Sequence, residues 1–339
     1  MSWPDSVATF GAGRMGRSIA IVFAYAGYPV RIIDAKERSD AESDALCRAV
    51  AAETELHLQT LEHFGVIAPP QRREIGARIA FVPRGAAEHA LAEADLVFEG
   101  VPEVLETKRA CLDFASQRMH SDAVLASATS TMLVDHLAQF VHGPERFLNA
   151  HWLNPAFVMP LVELSPGART SAAVVERLKR LLEAMGKVPV VCAASPGYIV
   201  PRIQALAMNE AARLVEEGVA TAEDIDKATR YGFGFRFAAL GLVEFIDFGG
   251  VDILYYAGRY LAEATGEQRF SPPAIVAEHM AAGRIGVKSG QGFYNHGQGD
   301  ARVAQLAVMS RLIDMLKSQN LLRAPGNARL EFGASNQPK

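Results

Sequence analysis

The chain has 339 residues, half of them hydrophobic and 21% charged, with 28 glycines and 17 prolines. This is ordinary globular usage, with enough apolar material for two domains, and it excludes a collagenous or low-complexity chain. The 34 basic and 38 acidic residues leave a net charge of −4 and no basic region to neutralise a phosphate backbone, which argues against a nucleic-acid partner. Apolar runs stop well short of the ~20 residues that span a bilayer, and the first residues carry no basic leader, so a cytoplasmic protein without membrane contact is expected. Three cysteines, Cys47, Cys111 and Cys192, lie far apart without C-x-x-C spacing and are expected in core positions, not in a disulfide framework or a metal site.

In chain order, a short strand is predicted at 6–10, a glycine turn at 11–16, a helix at 14–26 and a second strand at 29–34. A charged stretch at 36–44 precedes a helix over 45–64, which VIAPPQRR brings to a stop. Strands at 79–82, 95–99 and 123–128 then alternate with a short helix and a longer one at 104–116. Two further strands, 147–150 and 188–192, flank a helix at 172–185 and extend the sheet. Short apolar strands alternating with amphipathic helices mark an α/β domain, a mostly parallel sheet covered on both faces, placed at 1–193.

AASPGYIVPR at 193–202 marks a connection, after which the chain reads helical at 199–217, 222–231, 242–261, 272–282 and 301–319. Ile203, Leu206, Glu210 and Leu214 share one face of the first of these helices, and Thr221 is placed to cap the second. An all-helical domain is therefore expected over 194–320, with a flexible tail at 321–339.

GAGRMG sets Gly11, Gly13, Arg14, Met15 and Gly16 between a strand and a helix start. Gly11 permits the tight turn, Gly13 lets backbone approach a pyrophosphate, and Gly16 lets helix and strand pack closely, with free helix amides for the diphosphate. Asp34 ends the second strand, where a carboxylate accepts both ribose hydroxyls of NAD and repels the 2′-phosphate of NADP, although Arg31, Lys36 and Arg38 stand nearby.

Among nine histidines, His151 stands apart because it ends the strand FLNAH at the carboxyl edge of the predicted sheet, where such folds place ligands. Glu163 sits within the apolar MPLVEL, where a carboxylate needs a partner. An imidazole titrating near ~6.5, with its tautomer fixed by a carboxylate, makes a general base; a structural histidine and a glutamate in a surface strand are the other reading. SATST at 127–131 offers hydroxyls to the same crevice, or a helix N-cap at Ser130 or Thr131.

In this order, GAGRMG, Asp34, FEGVPE at 98–103, Lys108, SATST, HWLNP with PLVEL, and SPGYIVPR closely resemble the 3-hydroxyacyl-CoA dehydrogenase family, over about 7–295. The resemblance implies oxidation of an L-3-hydroxy substrate by NAD⁺ in a cleft between a Rossmann-like domain and an all-helical dimerisation domain, hence a homodimer. It makes His151 the base, Glu163 its partner and Ser130 a ligand of the substrate oxygen, and sets Asn154 of HWLNP beside the substrate. Glu103 and Lys108 match residues on the nicotinamide side of the cofactor.

Three departures bear on the substrate. Ala128 stands where the family usually has asparagine, and Pro201 replaces another asparagine, removing both an amide side chain and a backbone N–H. GFGFRFAALG at 232–241 replaces a Pro-Met-Gly-Pro turn and resembles relatives acting on free acids, for which Arg236 offers a bidentate guanidinium; a salt bridge from Arg236 to Glu244 or Asp247 is the alternative. The leading expectation is a small free 3-hydroxy acid such as 3-hydroxybutyrate, gulonate or carnitine, with short-chain 3-hydroxybutyryl-CoA as the alternative.

Overall fold

The computed structural model describes residues 3–297 and 301–322; the expected tail from 323 onward lies outside them. The chain divides into two compact units, Met1–Asn209 and Glu210–Lys339.

The first unit holds one sheet of eight strands: β1 (Val7–Phe10), β2 (Val30–Ile33), β3 (Ile79–Val82), β4 (Leu96–Glu99), β5 (Val124–Ser127), β6 (Phe147–Trp152), β7 (Leu161–Pro166) and β8 (Val188–Val191), in the order β3-β2-β1-β4-β5-β6-β7-β8. All neighbours are parallel except β6 and β7. Its helices are α1 (Arg14–Tyr25), α2 (Asp40–His63), α3 (Pro69–Ala77), α4 (Ala87–Ala92), α5 (Leu105–Arg118), α6 (Val134–Leu137) and α7 (Ala172–Ala184).

Side chains alternate across the strands, so each face builds its own core. Val7, Leu96, Phe98, Val124, Leu148 and Trp152 join residues of α1, α2, α3 and α7 on one face. Ala8, Phe10, Val97, Leu125 and Phe147 join residues of α4, α5 and α6 on the other. On that second face the carboxyl ends of the strands turn polar. Glu99 pairs in register with Ser127, and Ser127 with Asn149.

Several local expectations are corrected. The charged stretch at 36–44 is partly helix: α2 starts at Asp40 because Ser39 and Glu42 form a reciprocal capping box. VIAPPQRR starts a helix as well as stopping one, because Pro69 and Pro70 occupy the first positions of α3, where a missing N–H costs nothing. The strand β7 begins within MPLVEL and runs on to Pro166, antiparallel to β6. Neither Ser130 nor Thr131 is an N-cap, since Leu133 precedes α6 and makes no side-chain cap bond.

Helix α8 (Val200–Glu216) leads into the second unit, with α9 (Ala222–Ala228), α10 (Phe235–Ala239), α11 (Leu242–Gly249), α12 (Val251–Thr265), α13 (Ala274–Ala281) and α14 (Ala301–Ser318). The helix predicted at 242–261 is broken, Gly250 at φ 111° separating α11 from α12, whereas the one predicted at 222–231 runs on through a π-helical segment at Thr229–Gly234 into α10. Thr221 does cap α9, its hydroxyl accepting the Asp224 amide at 3.1 Å. Ile203 and Leu206, on the predicted apolar face of α8, are exposed. Asp247, wholly buried, accepts the amides of Phe293 and Tyr294 and pairs with His296, so GQGFYNHG is fastened onto α11.

Candidate active site

The glycine turn packs as its residue types require. Gly11 has φ 121°, and a Cβ there would lie 2.9 Å from the carbonyl of Gly100; at Gly16 it would lie 2.0 Å from the carbonyl oxygen of Gly11. No side chain fits either position. Gly13 differs, because a Cβ there would meet nothing of the protein closer than 3.8 Å; its backbone, exposed with that of Arg14, opens toward solvent at the uncapped start of α1.

Beside this turn is a cavity of about 200 Å³ lined by Gly11, Gly13, Asp34, Gly100, Val101 and Thr107. Asp34 is 3% exposed, with one oxygen accepting the Lys36 amide at 3.1 Å and the other the Arg38 guanidinium at 2.7 Å. A backbone cradle at a free helix start, with a carboxylate one strand away, has the shape and donor set for a dinucleotide.

At the far end of the same sheet, His151 and Glu163 face each other as register partners across the antiparallel β6–β7 pair. His151 Nδ1 lies 2.7 Å from Glu163 Oε2, and the two residues are 5% and 1% exposed. Because a carboxylate only accepts, Nδ1 is the donor of this bond, and in the neutral ring the lone pair is then on Nε2. Glu163 Oε1 accepts the amides of Ile199 and Val200, each at 2.9 Å, where α8 begins. Both carboxylate oxygens are thus satisfied, which allows a buried anion here.

A second polar cluster sits where β4 and β5 end. Glu99, wholly buried, accepts Lys108 Nζ at 3.0 Å, the Ser127 hydroxyl at 2.5 Å and the Val101 amide at 2.7 Å. Lys108, only 1% exposed, also reaches Glu103 at 3.3 Å. Glu103 in turn anchors the 127–131 turn, accepting the Thr129 hydroxyl and the amides of Ser130 and Thr131. Burial would raise the Glu103 pKa, but the Thr129 hydroxyl and the Lys108 ammonium outweigh it and hold the carboxyl below its usual range. Ser130 itself is exposed, as is Asn154 just beyond β6.

The structure therefore joins His151 to Glu163, and Lys108 and Glu103 to the Ser130 turn. Arg236 makes no ion pair with Glu244 or Asp247. It lies over the Phe245 ring at 4.9 Å from the centroid, while Glu244 caps Gly241 and Asp247 pairs with His296.

Three residues of the site are given no role by the sequence. Glu99 ends the strand DLVFE and is the second residue of FEGVPE, yet no role is assigned to it. Asn149 shares the face of His151 two residues earlier, and its Nδ2 bonds Met132 O and the Tyr198 hydroxyl. Tyr198 stacks on the His151 ring, centroids 5.5 Å apart. Period-two alternation along FLNAH points to Asn149, whereas nothing local reveals Tyr198.

Family models described as "3-hydroxyacyl-CoA dehydrogenase, NAD binding domain" and "3-hydroxyacyl-CoA dehydrogenase, C-terminal domain" match residues 6–195 and 197–296. The chain is 35% identical over 292 residues to 3-hydroxyadipyl-CoA dehydrogenase of Escherichia coli (strain K12), covering 86% of this chain but only 59% of that protein. It is 32% identical over 292 residues to 3-hydroxybutyryl-CoA dehydrogenase of Bradyrhizobium diazoefficiens, covering 86% of this chain and 94% of that protein. The crystal structure of a 3-hydroxyacyl-CoA dehydrogenase from Archaeoglobus fulgidus, 31% identical, matches with a TM-score of 0.74 over 94% of this chain and 99% of that one. With both family models spanning the two units in order and the glycine cradle and buried His–Glu pair in place, the chain belongs to the 3-hydroxyacyl-CoA dehydrogenase family.

Proposed function

We propose that this protein is an NAD-dependent dehydrogenase of short-chain L-3-hydroxyacyl-CoA thioesters, of which 3-hydroxybutyryl-CoA is the simplest. The observation that carries the reading is the buried His151–Glu163 pair at the carboxyl edge of the sheet that also presents the glycine cradle. His151 Nε2 takes the proton of the 3-hydroxyl, and in the reverse direction the imidazolium returns it. Glu163 keeps the proton on Nδ1 and stabilises the imidazolium. The Ser130 hydroxyl bonds the substrate oxygen, and Asn154 borders the substrate. NAD⁺, when bound, supplies the hydride acceptor; Gly11, Gly13, Arg14, Met15 and Gly16 with the start of α1 hold its diphosphate. Glu103 lines the nicotinamide side, and Lys108, too buried to touch a ligand, acts through Glu103.

Asp34 binds the adenosine ribose. D34A is expected to raise KM for NAD roughly tenfold, as loss of a charge-assisted hydrogen bond does, and to narrow the preference over NADP. Unchanged kinetics with both cofactors would remove Asp34 from that role.

The sequence alone ranks a free 3-hydroxy acid above the thioester. The relatives named for CoA substrates reverse that order. Arg236, exposed and without an ion pair among the described residues, still favours the free acid as a second reading. Initial rates of NADH formation at matched concentrations of (S)-3-hydroxybutyryl-CoA, (S)-3-hydroxybutyrate, gulonate and carnitine decide between them. The thioester is expected to have the highest kcat/KM. A higher value for a free acid, lost in R236M, would establish the second reading instead.

A further inference from the structure

Among the described residues, Tyr198 and Asn320 are the only ones other than glycine with positive φ, and Tyr198, at 44°, is also buried, 4% exposed. A left-handed conformation is strained for a tyrosine, so its surroundings must hold it there. Its ring lies against the His151 imidazole, centroids 5.5 Å apart and planes 25° from parallel. Its hydroxyl accepts from Asn149 Nδ2 at 2.8 Å and donates to the carbonyl of Thr129 at 3.2 Å. Burial pushes the phenol pKa upward, so it remains a donor throughout the neutral range. The next two residues, Ile199 and Val200, are those whose amides hold Glu163.

Three consecutive residues therefore touch the imidazole, its carboxylate partner and the turn that carries Ser130. The His151–Glu163 bond fixes the ring at one atom and leaves it able to rock about that contact. A face-to-face neighbour removes that freedom, provided the neighbour is itself fixed. Asn149 fixes it, since both donors of its amide are engaged, one on Met132 O at 2.9 Å and one on Tyr198, and it stands on β6 two residues before His151.

We propose that Tyr198 is a positioning residue for the proton-transfer step. Its ring sets the rotation of the His151 imidazole, and its hydroxyl, held between Asn149 and Thr129, keeps the base and the Ser130 turn in one register. This rests on the dehydrogenase reading above.

The test uses the full-length protein with NAD and (S)-3-hydroxybutyryl-CoA carrying hydrogen or deuterium at C3. Y198F keeps the stacked ring and removes both hydroxyl bonds. The expected result is a kcat about fivefold lower, the equivalent of one net hydrogen bond, with a larger deuterium isotope effect on kcat, an unchanged KM for NAD and a Tm that, though lowered by the unpaired Asn149 donor, stays well above the assay temperature. N149A removes the same link, so the Y198F/N149A double variant loses less than the product of the single losses. In ¹⁵N-histidine NMR without substrate, Y198F is expected to broaden the His151 ring signals.

A Y198F protein with wild-type kcat, isotope effect and His151 line width overturns the proposal, as does a loss that multiplies with that of N149A or that only follows a Tm fallen to the assay temperature. If H151Q retains full turnover, the dehydrogenase reading fails and takes the proposal with it. If H151Q is inactive while Y198F is normal, only the positioning role fails.

Discussion

Replacing His151 with glutamine is expected to lower kcat about a thousandfold, in the middle of the range for losing a general base, while leaving KM for NAD near its wild-type value. Glutamine spans a similar length and can still bond Glu163, so the change removes the titrating nitrogen without opening a cavity. E163Q provides the mechanistic companion. Glu163 Oε1 accepts two backbone amides, from Ile199 and Val200, so the amide oxygen of a glutamine must turn that way and its NH₂ must face His151. Nδ1 then has to accept, and the ring proton moves to Nε2, where the lone pair is required. A loss of about a hundredfold in kcat is expected, less than for H151Q because a fraction of the productive tautomer survives. Steady-state rates with saturating NAD read both variants. H151Q at near wild-type kcat, with a full isotope effect showing that hydride transfer limits the rate, would exclude His151 as the base.

The parts of this site that were legible in the sequence are those written locally. A glycine turn after one strand and an acid at the end of the next need only about thirty residues of pattern, and Gly11, Gly16 and Asp34 stand where that pattern puts them. His151 was legible as a strand end. That Glu163 is its partner depends on a register between two strands, and the sequence, which allows a strand around Glu163, does not give that register or show that the strand is buried. Antiparallel pairing places the two side chains opposite each other, and that contact, with the Ile199 and Val200 amides on the other oxygen, explains why a glutamate is tolerated in LVEL. Breaks such as Gly250 were hidden for a different reason. The residues around it keep helical periodicity, and the break depends on one backbone angle. Arg236 shows the limit from the other side, since its chemistry is plain in the sequence while its neighbours, an aromatic ring instead of an acid, are a property of the fold.

Substituting Lys108 with methionine is expected to be the most destabilising single change at the site. Lys108 and Glu99 are 1% and 0% exposed and meet at 3.0 Å. Removing one partner of such a pair strands the other charge, which costs about 3–5 kcal/mol. Methionine fills most of the lysine stem's volume, so the loss comes from Glu99, left with the Ser127 hydroxyl and the Val101 amide. These are good acceptor contacts but supply no counter-charge. Urea unfolding of the apo protein reads the effect as a lower midpoint at an unchanged slope, free of any contribution from cofactor binding. The double variant E99Q/K108M is the discriminating measurement. With both charges gone the desolvation penalty vanishes, and because the glutamine oxygen can keep the Val101 amide while its NH₂ donates to the Ser127 hydroxyl oxygen, more than half of the lost stability is expected to return. Were K108M to cost less than about 1 kcal/mol, the value of an exposed pair, the Glu99–Lys108 contact would be incidental. The anchoring of Glu103, and through it of the Ser130 turn, would then have to come from the threonine hydroxyls and backbone amides alone.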